Sequence, residues 1–116
     1  MKTYVRPGEI VTFTAPSGGV TVDVPVLIGN LLVIPTSTVA ATLPFEGAVQ
    51  GVFANMPKAT GTAWTEGEIL YWDNSAFDFT TVSTSNYRVG CAAVAAASGD
   101  TTGTVRLNGV SVPAGA

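Results

Sequence analysis

Histidine is missing from all 116 residues. The chain therefore lacks the side chain that most often moves protons near neutral pH, and with it the commonest metal ligand. A Ser–His nucleophile cannot be assembled. Cysteine occurs once, as Cys91, so neither an intrachain disulfide nor a cysteine-based zinc site can form. Charge is scarce: 11% of residues are charged, against about 25% in ordinary globular proteins. The five cations, Lys2, Arg6, Lys58, Arg88 and Arg106, are scattered along the chain and outnumbered by eight carboxylates. Nucleic-acid binders concentrate cations in a stripe that displaces counterions from phosphates, so direct DNA binding is not expected. The longest apolar runs, Leu31–Pro35 and Cys91–Ala97, fall far short of the ~20 residues of a membrane helix. No apolar stretch follows Lys2, so no signal peptide is expected.

What is present is apolar and β-branched. Hydrophobic residues make up 47% of the chain, which excludes a disordered tail, and the length suits one domain spanning residues 1–116. High apolar content with little charge implies that part of the exterior is covered by a partner or by further copies. Residues 1–7 hold two of the five cations, and residues 110–116 are small and contain Pro113 and Gly115. Both ends read as loose unless tied down.

Alternation with a period of two marks half-buried strands. It recurs at Val11 and Phe13 between threonines, at Val20, Val22 and Val24, at Phe77 and Phe79 around Asp78, and at Val105 and Leu107. Val26–Ile28, Leu31–Ile34 and Ile69–Trp72 are continuously apolar, as strands buried on both faces are. Turn chemistry separates them at Pro7-Gly8, Pro16–Gly19, Gly29-Asn30, Asp73–Ser75 and Ser98–Asp100. Gly29-Asn30 reads as a two-residue hairpin turn. The chain is thus expected to be mainly β, a small barrel or sandwich of short strands with little or no helix. Arg88–Ala97 holds five alanines but also Val89, Gly90 and Val94 and no N-terminal cap. It reads as a central strand whose small side chains let something approach closely, with a short helix as the alternative.

The search for chemistry finds little. Neither lysine lies in an S-x-x-K frame, and no glycine precedes either one as a phosphate-binding loop requires. Gly99–Gly103 looks like a hairpin turn. Glu66 and Glu68 could act as paired carboxylates, but Gly67 between them marks a turn with both side chains solvated, and Asp73 suits a strand end. Asp73, Asn74 and Asp78 lack the ordered loop of a calcium site. No cofactor and no metal is therefore expected. Trp64, Tyr71 and Trp72 could stack on bases or sugars. In an acidic chain they read instead as core or subunit-interface residues, as does Cys91, a small hydrophobe among alanines. Tyr71 and Trp72 are adjacent and must point to opposite faces of a strand.

Read together, Trp64-x-x-Gly67-x-x-x-Tyr71-Trp72-Asp73, Thr80-Thr81, Gly90-x-Ala92-x-x-Ala95-Ala96 and Gly99-Asp100-x-Thr102-Gly103-x-Val105-Arg106-Leu107-Asn108 resemble one family. It is that of small tailed-phage and prophage capsid decoration, or cement, proteins, formerly labelled predicted RecA/RadA-type recombinases. Tyr4-x-x-Pro7-Gly8, Ala15-Pro16-x-Gly18-Gly19-Val20, Val26-Leu27-Ile28-Gly29 and Pro57-Lys58-Ala59 extend the likeness over nearly the whole chain. The resemblance implies a β-rich structural subunit, not an enzyme, made in the host cytoplasm and seated on the outer surface of the capsid. It implies a homotrimer at local three-fold positions, with the major capsid protein as partner and no direct contact with nucleic acid or membrane. The recombinase label implies ATP binding, which the missing phosphate loop contradicts. The extended segment Lys2, Thr3, Tyr4, Val5, Arg6 and Pro7 is the candidate capsid-binding arm. The other readings are a DNA-binding recombination accessory and a head-surface module for host carbohydrate.

Overall fold

The Val/Phe–Thr alternation near the start forms β1 (Ile10–Thr14), with Val11 and Phe13 half-buried and their neighbours exposed. The computed structural model describes residues 9–115. Eight more strands follow: β2 (Val26–Ile28), β3 (Leu31–Pro35), β4 (Pro44–Ala48), β5 (Gln50–Pro57), β6 (Ile69–Asp73), β7 (Asp78–Thr80), β8 (Tyr87–Ala92) and β9 (Thr102–Asn108). Among the described residues there is no helix. The strands form two antiparallel sheets, ordered β1-β4-β3-β2 and β5-β9-β8-β6-β7. Only Val49 separates β4 from β5, so one nearly continuous run of chain passes from the first sheet to the second. The larger sheet curls until Lys58, just beyond β5, bridges Phe79 of β7. This does not close a barrel, and the architecture is a two-sheet sandwich.

Two cores result, and β3 lies between them. Its alternation sends Leu32 and Ile34 into the larger cluster, with Leu70, Trp72, Phe79, Val105 and Leu107. Val33, pointing the other way, is fully buried with Ala15, Val20, Phe45 and Val49 in the smaller one. A strand covered on both faces must be apolar throughout, which is why Leu31–Ile34 is. The β2–β3 hairpin turns on Gly29-Asn30, pairing Ile28 with Leu31. Gly29 has φ 62, the conformation a two-residue hairpin places at its first turn position.

Several expected strands are shorter or absent. Val20–Val24 alternates, yet only Val20 makes a bridge, to Val39, before the chain turns through Asp23 at φ 63. Val22 and Val24 are left exposed. Phe77 lies in the β6–β7 turn rather than in a strand. Ile69–Trp72 is a strand buried on one face, with Ile69 exposed and Leu70 and Trp72 covered. Val26–Ile28 is half-buried throughout. Pro44–Ala48 and Gln50–Pro57 carry no clear alternation, because Pro, Gly and Ala interrupt it and a register shift between Phe53 and Met56 breaks its phase.

The alanine-rich segment splits. Tyr87–Ala92 is the central strand of the larger sheet, and Gly90 is where its neighbour comes close, since a Cβ there would strike the Arg106 carbonyl. Ala93 still donates to the Thr104 carbonyl of β9 at 3.1 Å; beyond it the chain runs beside Trp64–Glu68, with Trp64 and Ala96 exchanging backbone hydrogen bonds of 3.1 and 3.0 Å. Among the described residues after β9 there is no strand, but Gly115 bonds to Ser85 and Asn86 at 2.8 Å each.

Candidate functional site

Lys58 is 4% exposed, and its ammonium group donates to the carbonyls of Ala59 (2.9 Å) and Thr62 (2.8 Å). It also sits 5.4 Å from the centre of the Trp64 ring. An ammonium has three N–H bonds and no acceptor. Two carbonyls and one aromatic face occupy all three directions, so burial of this charge is compensated. Trp64 is itself buried, donates its indole N–H to the Val94 carbonyl at 3.0 Å, and rests on Gly103, where a Cβ would collide with the ring. Lys58 and Trp64 thus lock the loop after β5 to the β8–β9 connection, which is a structural task. Trp72 is buried edge-on against Phe79, with ring centres 5.1 Å apart, and donates to Asn74. Tyr71, on the opposite face of β6, is half-buried. Neither tryptophan presents a face to a base or sugar.

The carboxylates take up turns. Glu66 is exposed, and Glu68 accepts from the Thr65 amide at 3.0 Å across the bend at Gly67. Asp73 accepts from the Ser75 hydroxyl (2.6 Å) and from the amides of Ser75 (2.9 Å) and Ala76 (3.1 Å). Its carboxyl is held below the ordinary aspartate value, first by the Ser75 hydroxyl and then by those amides. Asp78 is pushed the other way, first by burial and then by the charge of Asp73. Among the described residues, no group of three His, Cys, Asp or Glu side chains could hold a metal ion. No helix there is long and apolar enough to cross a membrane.

The same turn holds a feature absent from the sequence-based reading. Phe77, between the two aspartates, is 63% exposed and has φ 59. Its amide donates to the Asp73 carbonyl at 2.7 Å. A bulky residue in the left-handed region is an outlier, and the one sequence signal was an aromatic in a turn where glycine or asparagine would serve.

On the outer face of the larger sheet, Ile69, Cys91, Arg106 and Val52 form one cross-strand row over β6, β8, β9 and β5. Cys91, read from sequence as buried, is half-buried here, because β8 presents it to the outer face. At the β5 end of the row a groove of about 510 Å³ opens between the sheets, lined by Glu9, Ile10, Ala48, Gln50, Val52 and Phe53 with Arg106 at its side. Ile10 and Val52 are 46% and 62% exposed. The candidate arm residues Lys2, Thr3, Tyr4, Val5, Arg6 and Pro7 lie outside the described residues.

Exposed apolar positions such as Ile10, Val52, Ile69 and Phe77 offer surfaces to a partner. Comparison with known protein families agrees: the phage cement protein family matches residues 5–107. The chain belongs to that family. Phage cement proteins are structural components associated with the phage capsid, and this cement protein takes that role. The match spans both sheets, from the segment before β1 to Leu107 in β9. No curated protein and no solved structure matches the chain.

Proposed function

We propose that this cement protein sits on the outer surface of the phage head as a homotrimer. At local three-fold positions it bridges neighbouring major capsid subunits against the outward push of packaged DNA. The family match over residues 5–107 carries the reading. The low charge and the exposed apolar side chains on both sheets support it, since such surfaces suit close contact with protein. Function then rests on buried contact area and not on turnover. Lys2–Pro7 is the arm, adding to a capsid sheet edge as an extended strand while Tyr4 and Val5 enter pockets. Three arms on one trimer bind with avidity even where each is weak.

Co-sedimentation with purified capsids tests this. The full chain is expected to pellet with the particles, and a variant lacking residues 1–7 is expected to stay in the supernatant with its thermal transition unchanged. Retained binding of the truncated chain would overturn the arm. In a gel-shift assay at low salt the protein is expected to leave DNA unshifted. A shift that disappears steeply with added salt would favour the recombination-accessory reading.

A further inference from the structure

We propose that Phe77 of one copy seats in the groove beside Arg106 of a second copy, so that copies join head to tail. The knob is an exposed aromatic flanked by carboxylates, and the groove is largely apolar with a cation at its side. Phe77 is the most exposed large hydrophobic side chain among the described residues. It is held out on a turn whose own carboxylates, Asp73 and Asp78, flank it. The groove is open and mostly apolar, and its volume of about 510 Å³ leaves room for a phenylalanine side chain. Arg106 bonds there only to Asn108, at 3.1 Å, among the described residues. A guanidinium has five N–H donors, so it can receive a carboxylate from the incoming turn. Glu9 is also in the lining, so the incoming carboxylates are accommodated only on the Arg106 side of the groove. Burial raises the Asp78 carboxyl in the isolated chain, and a cation alongside would relieve this.

Backbone conformation points the same way. Glycine would take φ 59 without strain, whereas phenylalanine does not. The turn therefore keeps an aromatic at a conformational penalty, while that ring covers little of its own chain. Knob and groove share no residue, and they come from the β6–β7 turn and the β5 end of the strand order. A contact between two different patches is heterologous and repeats from copy to copy, giving a ring where the rotation closes. The reading of a trimer above supplies only the number three. The contact itself is measured without capsids.

Analytical ultracentrifugation of the full chain over a range of concentrations decides it. Wild type is expected to rise above monomer mass, less so at high salt. Phe77→Gly, which keeps the groove, and Arg106→Glu, which keeps the knob, are each expected to weaken self-association by roughly thirtyfold or more. Mixed together, they are expected to form one-to-one dimers that grow no further, because only one productive contact remains. The melting temperature of Phe77→Gly is expected to equal or exceed that of wild type, so its loss of association cannot be put down to misfolding. A wild type that stays monomeric, a Phe77→Gly chain that associates like wild type, or a mixture without dimers would overturn the proposal. If wild type is monomeric and Phe77→Gly loses only capsid binding, the groove is not the partner and the capsid is.

Discussion

Gly90 stands in the central strand of the larger sheet, opposite Leu70 of β6 and Leu107 of β9. A methyl group there would meet the Arg106 carbonyl, a backbone atom pinned because β9 is paired on its other side with β5. Gly90→Ala therefore cannot be relieved by a side-chain rotation, and the β8–β9 ladder must part. Overpacking of this kind costs about 1–3 kcal/mol, and each ladder hydrogen bond that is lost adds about 1 kcal/mol. The total is about 3 kcal/mol, a large share of the roughly 10 kcal/mol that holds a domain of this length together. With about 4 °C of melting temperature per kcal/mol, the transition should fall by about 12 °C. Gly99 is the control, because a Cβ there meets nothing within 4 Å and its φ is not positive. Gly99→Ala is expected to be neutral or to stabilise by about 0.4–1 kcal/mol through the unfolded state. Thermal melts followed by circular dichroism, with urea midpoints beside them, give both numbers. If Gly90→Ala melts within about 2 °C of wild type, the close approach of the two strands is wrong.

Trp64→Phe removes the indole bond to Val94 and leaves space over Gly103. It is expected to lose about 2 kcal/mol in urea unfolding. Asp73→Ala opens the β6–β7 turn and is expected to lose about 1 kcal/mol at neutral pH. The folded state holds the Asp73 carboxyl below its unfolded value, so the contribution is present above the unfolded value and disappears as pH falls through the folded one. The gap between wild type and Asp73→Ala should therefore narrow below about pH 4 in paired melts. A gap that stays constant would mean that the turn is held by packing and not by the charge.

Much of the β architecture was legible because period-two patterns and turn residues act locally. Val11 and Phe13, the Gly29-Asn30 hairpin, and Val105 and Leu107 all lie where their patterns place them. Val20–Val24 failed for the opposite reason: alternation shows a segment able to form a strand, but pairing needs a neighbour, and only Val39 faces it. β4 and β5 were hidden because burial alternates along them while residue type does not: Pro44, Gly47, Gly51 and Ala54 blur the pattern, and the register shift between Phe53 and Met56 breaks its phase.

The family, and with it the role at the capsid, was readable from residues spread over the whole chain, from Tyr4 to Asn108. The lack of histidine, of paired cysteines and of a phosphate-binding loop also limits the available chemistry at the level of sequence alone. Tertiary structure alone decided what the surface offers. Lys58 could have been a solvated cation, yet the curl of the larger sheet buries it against Trp64. Phe77 could have been a core strand residue, yet a left-handed turn lifts it into solvent. The groove beside Arg106 joins β1, β5 and β9, which lie far apart in sequence. Composition fixes which groups a chain can bring to a surface, but which of them meet depends on long-range strand pairing, and local sequence patterns do not encode that.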